Sequence, residues 1–138
     1  TQHAMIVHSD GLDEIRLDAD TTVVELQGGA ITSYTIQPSD LPISTHSPAA
    51  IAALTAQSSD ESLQLVREAL GDETSAAADI VSLNAGAAIY VAGVAETLRD
   101  GVVMAKDAIA SGLANERLEE LVATRSLMAE QNSESNDL

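Results

Sequence analysis

The segment from Ala76 to Ala92 most constrains how this chain can fold. Ile80, Leu83, Ala87, Ala88 and Val91 fill it, no charge follows Asp79, and Gly93 closes it. A helix that is apolar around most of its circumference must be covered on most sides. A layered α/β body supplies that cover, whereas an isolated hairpin does not. The material for the surrounding core is restricted, because Tyr34 and Tyr90 are the only aromatic residues and Phe and Trp are missing. Leu, Val, Ile and close Ala/Gly packing must therefore build it. A length of 138 residues with 45% hydrophobic content suits one globular domain with a real core.

Two regions of different periodicity flank the start of the helical part. To about Ser39 the chain reads as β. Ala4-Met5-Ile6-Val7 is a first strand candidate, and Thr21-Thr22-Val23-Val24-Glu25-Leu26 reaches Gly28-Gly29 and returns as Ala30 to Ile36, a hairpin signature. Pro38-Ser39-Asp40 ends the last strand, and Pro42, His46 and Pro48 mark an irregular crossover. From Pro48 the pattern turns helical. Ser58 precedes Glu61 as in a capping box, Leu63, Val66 and Leu70 share a face, and Gly71 suits the C-terminal end. Thr97 suits an N-cap before Leu98, Val102, Ala105 and Ile109. A last helix over Asn115–Glu130 carries Leu118, Leu121, Val122 and Arg125 on one stripe. The expected division is a partial α/β domain over residues 1–131 and an acidic disordered tail over 132–138. Strands first and helices later place helices on one or both faces of a small sheet.

The net charge of −16 excludes several partners. Arg16, Arg67, Arg99, Lys106, Arg117 and Arg125 are scattered, so no basic patch exists for nucleic acid or for an anionic membrane surface. No apolar run has the length of a membrane span, and no signal peptide is visible at the N-terminus. The absence of cysteine excludes disulfides and thiolate metal sites and fits a reducing compartment. The chain opens on Thr1 almost directly into a strand, the pattern of a cut chain.

One segment carries chemistry. His8-Ser9-Asp10-Gly11-Leu12-Asp13-Glu14-Ile15 runs a strand into a glycine turn and presents two adjacent carboxylates. Asp13 and Glu14 can share a hard cation such as Mg²⁺, which takes one or two protein carboxylates and leaves its other positions to phosphates and water. The plain alternative is a solvated acidic turn. His3, His8 and His46 have no metal-ligand spacing, and Ser9 lacks a nucleophile elbow. Gly28-Gly29 is flanked by strands, so it is a hairpin and not a phosphate cradle. Asn84 must find partners inside an alanine-rich helix, in backbone or a neighbouring loop. Tyr90 reads as a core residue whose hydroxyl reaches an edge.

Three segments together carry a resemblance. Val7-His8-Ser9-Asp10-Gly11-Leu12-Asp13-Glu14-Ile15 resembles the Val-Val-His-(Gly/Ser)-x-Gly-(Leu/Met)-Asp-Glu stretch of anthranilate phosphoribosyltransferases. Val23 to Ile31 with Tyr34 to Asp40 is similar to that family's Val-Ala-Glu-Leu-x-x-Gly-x-Ile and Tyr-x-(Leu/Ile)-x-Pro-Glu-Asp. Leu83-Asn84-Ala85-Gly86-Ala87-Ala88-Ile89-Tyr90-Val91-Ala92-Gly93 resembles its Leu-Asn-Ala-Ala-x-Ala-Leu-Tyr-x-Ala-Gly helix.

The resemblance implies the C-terminal part of the large α/β domain of the anthranilate phosphoribosyltransferase and nucleoside phosphorylase-like fold, with a β-hairpin region followed by packed helices. It implies a cytoplasmic, magnesium-dependent transfer of phosphoribosyl from phosphoribosyl pyrophosphate to anthranilate in tryptophan biosynthesis. Asp13 and Glu14 would hold the Mg²⁺, and no catalytic residue is assigned within this chain. Only the C-terminal part, less than half of a family member, is matched. The family's Gly-Thr-Gly-Gly-Asp and Lys-His-Gly-Asn-Arg segments are absent, as are the helical dimer-forming domain and the anthranilate-gripping residues. A further loop is altered to Gln57-Ser58-Ser59-Asp60-Glu61-Ser62. The expectation is an enzyme fragment, inactive alone and prone to self-association, from a homodimeric parent. The alternative from another class is a non-catalytic module with an acidic protein-binding surface. A related nucleoside phosphorylase fits the three segments less well.

Overall fold

A computed structural model describes residues 2–135. Three strands, β1 (His3–His8), β2 (Thr21–Gln27) and β3 (Ala30–Ile36), precede the helices α1 (Pro48–Ala52), α2 (Ser59–Gly71), α3 (Ala76–Val91), α4 (Leu98–Ala110) and α5 (Leu113–Ser135). The strands form one antiparallel sheet in the order β1-β2-β3. Gly28 and Gly29 link β2 to β3 with φ of 58° and 85°. Two successive positive φ values are what a two-residue hairpin turn of the right twist requires.

The pleat divides the sheet into two unlike faces. Met5, Glu25 and Thr32 lie side by side, as do Val7, Val23 and Tyr34, and this face meets the helices at Met5, Val7 and Val23 while Thr32 and Tyr34 of β3 stay exposed. The outer face carries Ile6, Val24 and Ile31, with Ile6 and Ile31 each 71% exposed. Helices therefore cover one face only of this sheet. Ile15, Val23, Ile36, Leu41, Leu83 and Val102 form the core, and Met5, Val7, Leu17 and Ile43 pack against it.

Each of α1 to α4 starts at a hydroxyl cap, from Ser47, Ser58, Ser75 and Thr97, that accepts a hydrogen bond from a first-turn N–H. At α2 the reciprocal arm of the expected capping box reaches Gln57 instead, whose N–H donates to Glu61. The helix α3 is buried along Ala76–Asp79, Ser82, Leu83 and Gly86, with Val81 left in solvent. Its crossing with α4 is a contact of backbones. A Cβ built on Gly101 would lie 2.2 Å from the Gly86 carbonyl oxygen.

The α4 stripe is buried as its spacing predicts, at Val102, Ala105 and Ile109. The others are not. Leu63 and Val66 of α2 and Leu121 and Val122 of α5 remain exposed, while Ala69 supplies the buried contact of α2. Apolar periodicity marks a face, and the described residues contain nothing to cover these two. The last helix continues beyond Glu130 to Ser135, so part of the expected tail is helical. Residues 136–138 of that tail lie outside the described residues. Among the described residues no helix is long and apolar enough to cross a membrane.

Candidate functional site

Between β1 and β2 the chain makes a compact excursion over residues 9–20. It opens with a tight reversal in which Ser9 and Leu12 exchange backbone hydrogen bonds of 2.8 and 3.0 Å. Asp10 and Gly11 turn the corner with φ of 45° and 84°, a left-handed pair that aspartate tolerates and glycine adopts freely. Asp13 and Glu14 follow on the rim, both exposed. The next residue, Ile15, dives back into the core at 1% exposure. Ser9 is buried and donates from Oγ to the Asp20 carbonyl at 2.7 Å, which fastens the two ends of the excursion together.

Two braces hold the middle. Asn84 Oδ1 accepts from the Ile15 N–H at 2.9 Å, and its Nδ2 donates to the Ile15 carbonyl and to the Ile80 carbonyl at 3.0 Å each. The partners expected for this amide are thus a neighbouring loop and its own helix. Arg16 donates twice to Asp18, at 2.8 and 2.9 Å, and reaches Asp10 at 3.6 Å. The Arg16 hydrogen bond holds the Asp18 carboxyl below its ordinary range. Asp10, Asp13, Glu14, Asp18 and Asp20 face a single Arg16 in this loop, so its field attracts cations.

Asp13 and Glu14 stand at the edge of an open groove of about 1320 Å³, whose other wall includes Gln37, Ser44, His46 and Ile51. His8 lies beside Asp13, with Nδ1 3.3 Å from Oδ1. The three histidines do not converge: His3 and His46 each join a different buried carboxylate. Among the described residues no group of three or more His, Cys, Asp or Glu is arranged to hold a metal by itself. The available set is therefore a carboxylate pair, which suits a magnesium ion that draws its remaining ligands from phosphate and water.

Two buried acids escaped the sequence reading. Glu25 is 6% exposed and accepts from Tyr34 at 2.7 Å, Tyr90 at 2.8 Å and His3 at 2.6 Å. Tyr90, half-buried, thereby sends its hydroxyl to a partner. Asp79, 1% exposed, accepts from Lys106 at 2.7 Å, His46 at 2.8 Å and the Ser44 N–H at 2.9 Å. Burial opposes ionisation of both acids. The hydrogen bonds outweigh it and hold both carboxyls below their ordinary ranges. The Asp79 cluster pins the crossover segment, and with it one wall of the groove, to α3 and α4. Inward parity with Thr21 and Val23 is the signal that marks Glu25, and a place one helical turn before Leu83 is the signal for Asp79.

An antiparallel sheet with helices on one face, and an acidic rim over an open groove, make up a mixed α/β unit. The chain belongs to the family described as glycosyl transferase family, a/b domain, which matches residues 1–115. Within it, the chain is similar to proteins named anthranilate phosphoribosyltransferase. It is 49% identical to the one from Cellvibrio japonicus over 128 residues, covering 89% of this chain and 36% of that protein. The Stutzerimonas stutzeri protein is 46% identical over 137 residues, covering 96% of this chain and 38% of its own length. The crystal structure of the Thermus thermophilus enzyme superposes with a TM-score of 0.74 at 32% identity, over 88% of this chain and 35% of that one. A Saccharomyces cerevisiae anthranilate phosphoribosyltransferase, solved in complex with PRPP and Mg, shares the fold at a TM-score of 0.70 and 20% identity, over 88% and 35% of the two chains. The chain thus spans little more than a third of the length of these relatives.

Proposed function

We propose that this chain is the C-terminal part of an anthranilate phosphoribosyltransferase. The complete enzyme would move phosphoribosyl from phosphoribosyl pyrophosphate to the amine of anthranilate, in the tryptophan pathway of the cytoplasm. The observation that carries the reading is the exposed Asp13–Glu14 pair on the groove rim of a glycosyl transferase family domain. The partial domain extends through the last helix, which continues to Ser135. The groups that grip phosphate and anthranilate, and the contacts that make a homodimer, belong to parts of the enzyme beyond this chain. By itself the chain is inactive and self-associates through its uncovered apolar faces.

Asp13 and Glu14 would hold Mg²⁺, which supplies positive charge where the departing pyrophosphate gains negative charge. The chain's own residues prepare that place. Gly11 and Asp10 turn the backbone outward, Ile15 anchors it, and Arg16 ties down Asp18 so that the rim keeps one shape. Phosphate cannot approach five carboxylates unaided, and this makes the pair a cation site before it is a substrate site. His8 beside Asp13 can hydrogen-bond one carboxylate oxygen and leave the other free.

The test is Asp13→Asn with Glu14→Gln in the complete enzyme. The expected result is a fall in kcat/KM of roughly a hundredfold, about 3 kcal/mol, with a higher magnesium requirement. Unchanged kinetics and magnesium dependence would remove the pair from the site.

A further inference from the structure

Asn84 lies on α3 and is not among the residues that line the groove beside Asp13 and Glu14. Its hydrogen bonds are nevertheless directed at one residue of the excursion. The Ile15 N–H and carbonyl are both taken by the same amide, at 2.9 and 3.0 Å. The Ile80 carbonyl, one turn earlier on α3, takes a second hydrogen of Nδ2 and fixes the rotation of the amide. An amide that matches a donor and an acceptor of one residue sets that residue's backbone in both distance and orientation. Ile15 immediately follows Glu14. Its side chain is already held among Val23 and Leu83 in the core. Position and orientation are thus both fixed one residue from the carboxylate pair, although the pair itself is solvated.

We propose that Asn84 is a positioning residue for the Asp13–Glu14 cation site: it sets the backbone from which the two carboxylates project. This rests on the reading of that pair as the magnesium ligands. Without the clamp the two carboxylates repel each other and spread over many arrangements. A cation must then order them at its own cost, and its affinity falls.

The experiment uses the complete enzyme with phosphoribosyl pyrophosphate present and Mn²⁺ as the probe, its binding followed by electron paramagnetic resonance. Hydrogen exchange of the Ile15 amide is measured alongside. Asn84→Ala is expected to weaken Mn²⁺ binding roughly tenfold and to speed exchange at Ile15. Ile109→Val, a core change away from the excursion, is expected to alter neither. In an Asp13→Asn/Glu14→Gln background, Asn84→Ala should produce no further loss of Mn²⁺ affinity. Should Asn84→Ala fail to fold, Asn84→Ser serves: its short hydroxyl cannot engage both the Ile15 N–H and the Ile15 carbonyl, so weaker Mn²⁺ binding and faster exchange at Ile15 are again expected.

Unchanged Mn²⁺ affinity in the Asn84 variants, with affinity lost on neutralising the carboxylates, would overturn the positioning role and leave the magnesium reading standing. Unchanged affinity after neutralising Asp13 and Glu14 would overturn that reading and this inference with it. An equal loss from Asn84→Ala in both backgrounds would likewise overturn it, since the effect would then bypass the pair.

Discussion

Gly101→Ala offers a sharp test of how α3 and α4 are held. The added methyl group would sit 2.2 Å from the Gly86 carbonyl oxygen and 3.1 Å from its carbonyl carbon. Carbon–oxygen contacts in proteins settle at about 3.3–3.6 Å, so the helices must separate by roughly 1 Å. The obstacle is backbone on both sides and cannot rotate away. A gap of about 0.5–1 Å forfeits a quarter to a half of each dispersion contact across it, and the contacts at stake are those of Leu83 and Val102, both 0% exposed. Overpacking of this kind costs about 1–3 kcal/mol, and a rigid backbone clash belongs at the upper end. Against it stands the helix preference for Ala over Gly, about 1 kcal/mol. The net expectation is a loss of about 2 kcal/mol in urea unfolding followed by far-UV circular dichroism, at unchanged m-value. Gly71→Ala is the matched control. A Cβ there meets nothing within 4 Å, so a gain of about 0.4–1 kcal/mol is expected. A Gly101→Ala chain stabilised as much as Gly71→Ala would refute the close crossing.

Further outcomes follow from buried polar groups. The Thr21 hydroxyl is buried without a hydrogen-bond partner among the described residues, so Thr21→Val is expected to stabilise the fold by about 1 kcal/mol in the same assay. A clear loss would mean the hydroxyl has a partner. Glu25 and Asp79 have folded carboxyls held below the ordinary values of 4.5 and 3.8. Each therefore adds stability above those values that is lost as pH falls through the folded pKa. Glu25→Gln should flatten the dependence of unfolding free energy on pH below about 4.5, and a slope equal to that of the unsubstituted chain would contradict the cluster.

The hairpin was legible because its information is local: two glycines between β-branched runs leave few alternatives. The α4 stripe was legible for the same reason. The stripes of α2 and α5 were equally plain, yet Leu63, Val66, Leu121 and Val122 stay in water, because periodicity does not say what packs on a face. In the site, Asp13, Glu14 and Gly11 lie within one turn and could be read together. The Asn84 amide was expected to need partners, but that one partner would be Ile15, 69 residues away, is a property of the assembled fold. Glu25 and Asp79 were overlooked because a carboxylate reads as solvated until its donors are known, and Tyr90 lies 65 residues from Glu25.

The Glu25 cluster also bears on how the sheet chooses which side to bury. Ile6, Val24 and Ile31 make the outer face as greasy as the inner one, so apolar content alone would let β2 shift by one residue and turn over at little cost. Such a slip would carry Glu25 into solvent and bring Val24 or Leu26 beneath Tyr34 and Tyr90. Two hydroxyls and an imidazole would then lose their acceptor inside the protein. One carboxylate thus serves as the alignment key of the three strands. The same strands lead into and out of the excursion, so the error it prevents would also misdirect Asp13 and Glu14.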